Sequence, residues 1–275
     1  MTVEELIVYG KSKTSSAHAK MLLASFLEVN PLELLTILDK KVDENIEKLY
    51  KNSLEALKEN KPIQYVIGNV NFYGIKFIVN KNVLIPRFET EELVEQVVEY
   101  AQSLNKDKIK ILDLGCGSGA IGLTLKSILK DSLVTLVDIS KKALEVARLN
   151  ANNLNLDVTF IESDWFSNLE ITKYDIIVSN PPYIRNDESI EEIVKNNEPA
   201  LALYGGQDGL DSYKKILAGI EPYLNEEYLI AFEIGESQKE EITNLVTKNL
   251  PTTIVTCKKD LYGRNRMIFV RNKIK

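Results

Sequence analysis

The stretch Asp113-Leu114-Gly115-Cys116-Gly117-Ser118-Gly119-Ala120-Ile121-Gly122 decides the fold. It closes the apolar run Ile109–Leu114 and leads on into a helix, a strand–loop–helix context. Similar short runs recur at Leu133–Asp138, Val158–Glu162, Asp175–Ser179 and Tyr228–Ile234. Longer periodic segments separate them. One is 141–152, with Ser140 as its N-cap. Another is 210–224, where Leu210, Tyr213, Leu217, Ile220 and Leu224 step by three and four. Such alternation predicts an α/β protein with an open parallel sheet and helices on both faces. The last two runs, Thr252–Cys257 and Met267–Val270, are too close together for a crossover helix, so an antiparallel hairpin is expected at the sheet's edge. That makes a seven-stranded sheet.

Upstream of Glu89 the pattern differs. Ala17, Met21, Ala24 and Leu27 recur three or four apart, as do Ile46, Tyr50, Leu54 and Leu57, which predicts helices over residues 1–60. Pro31, after Asn30, marks a break with proline in a first helical turn. From Gln64 the residues turn β-branched and aromatic. Gln64–Gly68 and Gly74–Val79 read as two strands of a hairpin, with Phe72-Tyr73-Gly74 as the turn between them. The expected organisation is therefore a smaller helical domain over 1–60, a hairpin linker over 61–86 and an α/β domain over 87–275.

Composition narrows the function classes. The chain has 275 residues, 44% hydrophobic and 27% charged, which suits a folded globular protein rather than a disordered one. No apolar run exceeds the length of Tyr228–Phe232, far short of the roughly 20 residues of a membrane span. Met1-Thr2-Val3-Glu4-Glu5 lacks the basic start and apolar stretch of a signal peptide, so a cytoplasmic location is expected. Two cysteines make no disulfide framework and one histidine, His18, makes no metal site. Residues 1–85 carry a net charge of +1 and residues 86–275 a net of −7. An acidic α/β part argues against direct nucleic-acid binding.

The glycine loop holds Gly117-x-Gly119-x-x-Gly122, and Asp138 ends the next strand about 20 residues on, the spacing of a dinucleotide fingerprint. Glycines let the backbone turn sharply and approach a ligand, and a carboxylate at that strand end can accept from a ribose diol. The pattern indicates a nucleoside-cofactor site without naming the cofactor. Cys116 reads as a small filler, since no histidine lies near it in sequence to activate a thiol.

The fourth strand ends in Asn180-Pro181-Pro182-Tyr183. Ligands in such sheets sit beyond the carboxyl ends of the strands, so this turn is expected to face the glycine loop's crevice. Asn180 offers a side-chain carbonyl acceptor. Pro181 stiffens the turn and leaves backbone carbonyls free. Tyr183 offers a flat face and a hydroxyl. Acceptors beside an aromatic floor suit a planar NH2 group, whether an amide or an exocyclic base amine.

These residues resemble the motifs of class I S-adenosylmethionine-dependent methyltransferases that modify planar amino groups. More closely, the chain resembles the HemK/PrmC family, the methyltransferases of peptide chain release factors. The resemblance rests on Pro62–Gly68, Phe72–Gly74, Val83–Glu91, Glu198–Leu201, Gly205-Gly206-x-Asp208-Gly209-Leu210, Glu233–Gly235 and Asp260–Arg266. It runs from about Pro62 to the C-terminus; Phe88 stands where the family commonly has proline, and Cys116 where it often has threonine. Gly205-Gly206-Gln207 spells a substrate-like tripeptide, but Gln207 fills the free position of the family's loop.

The resemblance implies a Rossmann-like seven-stranded sheet whose last strand is antiparallel, with a helical N-terminal domain for substrate recognition. It implies S-adenosylmethionine as donor, S-adenosylhomocysteine as product and no metal. Cofactor contacts would come from Gly115, Cys116, Gly117, Ser118 and Gly119, from Asp138 on the ribose, from Trp165 beside the adenine and from Asn180 at the donor end. Asn180, Pro181, Pro182 and Tyr183 would hold the target glutamine, that of the Gly-Gly-Gln motif of class I release factors. Asn180, Pro181 and Tyr183 would be the catalytic set, with Tyr183 stacking on the amide. The alternatives are a glutamine methyltransferase for a ribosomal protein, a DNA adenine methyltransferase acting on a flipped base, a nicotinamide-dependent oxidoreductase and a non-catalytic cofactor binder.

Overall fold

Thr2 opens the first helix with a capping box: its hydroxyl accepts from Glu5 N while the Glu5 carboxylate accepts from Thr2 N. The computed structural model describes residues 1–104 and 106–272. Asn105 and residues 273–275, the tail of the expected 87–275 domain, lie outside the described residues. The chain divides into two compact units, Met1–Val70 with Ile190–Asn197, and Asn71–Ser189 with Glu198–Lys275.

The first unit begins with α1 (Val3–Lys11), α2 (Ser16–Phe26) and α3 (Glu44–Lys58). Ser15 caps α2 and Asp43 caps α3. Leu6, Leu22, Leu23, Leu34, Tyr50 and Leu54 form the core. The period expected of α2 is present, but a different face points inward: Ala19, Leu22, Leu23 and Ala24 are buried, whereas Met21 is exposed. Apolar residues lie on both faces of this helix, so its packing against α1 and α3 decides which one is buried. Pro31 does not start an α-helix. Asn30 Oδ1 accepts from Leu32 N and Glu33 accepts from Asn30 N, which shapes a 3-10 turn at Glu33–Thr36.

The expected strand Gln64–Gly68 is also a helix, α4 (Ile63–Ile67). Pro62 precedes it and Gly68 ends it in the left-handed conformation, at φ 84°. Val66 and Ile67 pack on the unit's core, and that packing overrides their strand preference. The hairpin itself forms one step later, from β1 (Asn69–Phe72) and β2 (Ile75–Ile78) around Tyr73-Gly74.

Next come α5 (Phe88–Ser103), β3 (Lys110–Leu114), α6 (Ala120–Ile128), β4 (Leu133–Asp138), α7 (Lys141–Leu154), β5 (Thr159–Glu162) and β6 (Tyr174–Ser179). The helix α8 (Glu192–Asn197) belongs to the first unit, where Asn197 Nδ2 donates to Asn60 O at 2.9 Å. The chain continues through α9 (Ala200–Leu203), α10 (Asp211–Gly219), β7 (Leu224–Glu233), α11 (Lys239–Asn249), β8 (Thr253–Lys259) and β9 (Asn265–Asn272). The helix expected over 210–224 is shorter than its periodicity. It stops at Gly219, a 3-10 turn with Pro222 follows, and Leu224 starts β7. Proline cannot donate a helical hydrogen bond, so the apolar step continues in sequence but not in conformation.

The strands lie in the order β5-β4-β3-β6-β7-β9-β8, and all are parallel except β9. The expected hairpin is present with β9 inserted beside β7, leaving β8 at the edge. On one face Leu112, Leu114, Ile177, Ile230, Phe232 and Ile268 pack with Tyr213, Ile216 and Leu217 of α10 and Ile242 and Val246 of α11. Alternate strand residues face the other layer, made by α5, α6 and α7.

This topology positions the site. From β3 the chain winds outward through β4 and β5, then returns to the other side of β3 as β6, which creates a switch point. The register aligns the carboxyl ends, with Leu114 opposite Val137, Asp113 opposite Val178 and Ser179 opposite Phe232. Asp138, the glycine loop, Asn180 and Glu233 therefore emerge along one edge of the sheet.

Candidate active site

The glycine loop is held from several sides. Asp113 Oδ2 accepts from Gly122 N at 2.9 Å, and the Gly115 and Cys116 amides donate to Val137 O at 2.8 and 2.9 Å. Asn150 on α7 donates to Ser118 O, and its side chain also bonds both Ile78 N and Ile78 O. Gly115, Gly117 and Gly119 take positive φ values of 73°, 54° and 80°, a region that only glycine enters without strain. Gly122 serves close packing instead: a Cβ there would fall 2.2 Å from Leu136 Cδ2. Asp113 is fully buried and its Oδ1 has no partner among the described residues. Burial raises its pKa to about 7.

Asp138 completes the loop. Its Oδ2 accepts from Gly117 N and its Oδ1 from Ser140 N, both at 2.8 Å. Burial pushes its pKa up, and the two backbone donors pull against that shift. Burial likewise raises the Cys116 thiol well above its ordinary range, so Cys116 is no thiolate nucleophile.

A cavity of about 320 Å³ opens here. Of the residues expected at the site, Gly115, Cys116, Gly117, Ser118, Asp138, Trp165, Asn180 and Pro182 line it. Gly119, Pro181 and Tyr183 do not. Gly119 is the N-cap of α6, and a Cβ on it would meet Leu123 and Ala147. Pro181 is buried in the turn. Tyr183 borders a neighbouring cavity, and its hydroxyl turns inward to donate to Glu233 Oε1 at 3.3 Å. That departs from the stacking role expected of it.

Sequence reasoning left several organising residues without a role. Glu198, 5% exposed, accepts from Ile85 N at 3.0 Å and from the Arg87 guanidinium at 2.5 Å. It holds the Val83–Arg87 wall, part of which lines the cavity, as does the neighbouring Pro199. Thr90, in the first turn of α5, also lines the cavity. Its hydroxyl donates to Glu233 Oε2 at 2.6 Å, and Asn180 Nδ2 donates to Thr90 Oγ1 at 3.3 Å. Burial raises the pKa of Glu233, while the hydrogen bond from Thr90 and the charge of Arg266 lower it. Ser179 Oγ donates to Leu114 O at 2.6 Å, which ties the Asn180 turn to the glycine loop.

The region 92–206 matches the model of the methyltransferase small domain, and 9–68 matches that of the PrmC N-terminal domain. A release factor glutamine methyltransferase of Bacillus cereus is 39% identical over 255 residues, covering 91% of this chain and 90% of that one. One of Streptococcus pneumoniae is 40% identical over 270 residues, covering 97% and 94%. The chain belongs to the release factor glutamine methyltransferase family. As a member of that family it is an enzyme, a protein-glutamine methyltransferase with a Rossmann-like fold. A methyltransferase from Pyrococcus furiosus, 18% identical, shares the fold at a TM-score of 0.54 over 81% of this chain and 98% of that one. Among the described residues, no helix of this methyltransferase is long and apolar enough to cross a membrane. No group of three or more His, Cys, Asp or Glu among them is arranged to hold a metal ion.

Proposed function

We propose that this enzyme methylates the side-chain amide nitrogen of the glutamine in the Gly-Gly-Gln motif of a class I peptide chain release factor, with S-adenosylmethionine as donor, in the cytoplasm. The observation that carries this reading is that one cavity holds both halves of the chemistry. Gly115–Ser118 with Asp138 and Trp165 make a nucleoside cradle, and Asn180 with Pro182 makes an acceptor-lined turn.

The chain's residues fit the donor. A Cβ on Gly117 would meet nothing within 4 Å, so the loop backbone faces open space. A Cβ on Gly115 would lie 3.7 Å from the Trp165 ring, so the loop backbone passes close beside the indole. Asp138 supplies a carboxylate for a ribose diol beside this ring. When bound, S-adenosylmethionine supplies a methyl group activated on a sulfonium. The helical region recognises the protein substrate in this proposal, in keeping with its match over 9–68.

An amide nitrogen is a weak nucleophile because its lone pair is delocalised into the carbonyl. The enzyme's task is then alignment, and a well-oriented near-attack geometry lowers a barrier by about 7–11 kcal/mol. In this proposal Asn180 Oδ1 accepts one of the two amide hydrogens and a backbone carbonyl of the Asn180–Tyr183 turn accepts the other. Two such bonds fix the rotation of the nitrogen and stabilise the positive charge it develops, an inverted form of oxyanion stabilisation, and the methylated nitrogen then releases one proton to water. Tyr183, held through its hydroxyl, keeps the Asn180–Tyr183 turn in one conformation.

Mass spectrometry of a purified release factor, incubated with the enzyme and S-adenosylmethionine, tests this function. One added methyl on the Gly-Gly-Gln glutamine is expected. Methylation elsewhere, or none, contradicts it.

A further inference from the structure

We infer that Thr90 and Glu233 are positioning residues that fix the polarity of the Asn180 side-chain amide, so that Oδ1 and not Nδ2 meets the amino group of the substrate. The inference rests on the glutamine-amide reading above and adds two residues to it.

A primary amide has two faces that differ only by a half-turn, and one of them is useless here. With Nδ2 turned to the substrate, a donor would meet the hydrogens of another donor. The choice is made behind Asn180. A threonine hydroxyl has one proton and two lone pairs. The proton of Thr90 is committed at 2.6 Å to Glu233 Oε2, an acceptor-only carboxylate when ionised. Only lone pairs then remain towards Asn180, and the atom found opposite them at 3.3 Å is the donor Nδ2. Oδ1 is the end left for the cavity.

The same carboxylate orients the other end of the turn. Its Oε1 takes the Tyr183 hydroxyl at 3.3 Å, so one group fixes both Asn180 and Tyr183. Thr90 and Glu233 are 4% and 2% exposed, and Glu233 does not line the cavity. Tyr213 pins the backbone at the same point, its hydroxyl donating to Glu233 O at 2.6 Å. Glu233 therefore acts through Thr90 and not on the reacting atoms.

The test compares the parent enzyme with Thr90→Val, Thr90→Ser and Glu233→Gln, under single-turnover conditions with donor and release factor both saturating. Valine keeps the shape and removes the lone pairs. Serine keeps the hydroxyl. Glutamine can donate to Thr90, which frees the threonine proton to meet Asn180 Oδ1 and favours the reversed amide. Thr90→Val and Glu233→Gln are expected to slow transfer about 10–100-fold, the size of effect seen when the outer hydrogen-bond partner of a metal-ligating residue is lost, with donor affinity within about twofold of the parent. Thr90→Ser is expected to recover most of the rate. A parent-like rate in Thr90→Val, or a rate in Thr90→Ser as low as in Thr90→Val, overturns the inference. A parent that methylates no release factor contradicts the substrate reading instead. In that case the polarity is still decided by the Asn180 side-chain amide signal of 15N-labelled protein. Slow hydrogen exchange in the parent, lost in Thr90→Val, supports the inference; equal exchange in both overturns it.

Discussion

Asp138 Oδ2 accepts the Gly117 amide at 2.8 Å, so the carboxylate at the end of β4 sets the conformation of the glycine loop as well as facing the cavity. The residue proposed to hold the ribose thus also shapes the cradle around it.

Asp138→Ala removes a charged acceptor whose hydrogen bonds to a ribose diol are worth about 1.5–3 kcal/mol. Donor binding measured by calorimetry is expected to weaken about tenfold or more in a protein that still folds. Unchanged donor affinity in a folded variant contradicts the ribose assignment.

Asp113 makes stability depend on pH. Its folded pKa of about 7 lies above the ordinary 3.8, because burial disfavours the charged form. Between those values the native state holds a proton that the unfolded chain releases, so this group's contribution falls as pH rises from about 3.8 to about 7 and is level above that. The amide introduced by Asp113→Asn does not titrate. Urea unfolding at pH 5 and pH 8 is expected to move the variant's stability upwards relative to the parent at the higher pH. A difference that stays constant between the two contradicts the assignment.

Gly122→Ala tests the packing under the loop. The new methyl would lie 2.2 Å from Leu136 Cδ2 and 2.9 Å from Asp113 Oδ2, both buried. Overpacking of this kind costs about 1–3 kcal/mol. A lowered Tm is expected, and an unchanged Tm contradicts the close approach of α6 to β3 and β4.

Truncation tests the proposed division of labour. A chain starting at Asn71 keeps every residue lining the cavity. It is expected to bind S-adenosylmethionine nearly as the parent does and to lose methylation of the intact release factor. Normal methylation by the truncated chain contradicts substrate recognition by the helical region.

The sheet was legible in the sequence because strands buried on both faces appear as short continuous apolar runs, such as Ile176-Ile177-Val178. The glycine loop and the Asn180 turn were legible because each is a local sequence at a strand end. Gln64–Gly68 was misread because Val66 and Ile67 resemble strand residues until packing of the helix against α2 and α3 is known. Leu224 was assigned to a helix because periodicity does not register the stop at Gly219, ahead of Pro222. Thr90 and Glu233 lie 143 residues apart, and their pairing exists only once the ends of α5 and β7 meet. Such a contact leaves no local pattern to find. The inward turn of the Tyr183 hydroxyl is a second contact of this kind, to Glu233 Oε1, 50 residues away in sequence.

Asn180 is proposed to position the amide nitrogen that receives the methyl group. Single-turnover methyl transfer to a release factor at saturating donor, with donor affinity measured alongside, tests it in Asn180→Ala and Asn180→Asp. Asn180→Ala deletes the acceptor, and transfer is expected to fall about 10²–10³-fold, as it does when one preorganised hydrogen-bonding group is removed. Asn180→Asp keeps an acceptor of the same shape and adds a negative charge beside a cationic donor. Equal or tighter donor binding with partial activity is expected, since a better-bound ground state does not lower the chemical barrier. Near-parental transfer by Asn180→Ala would contradict this role of Asn180.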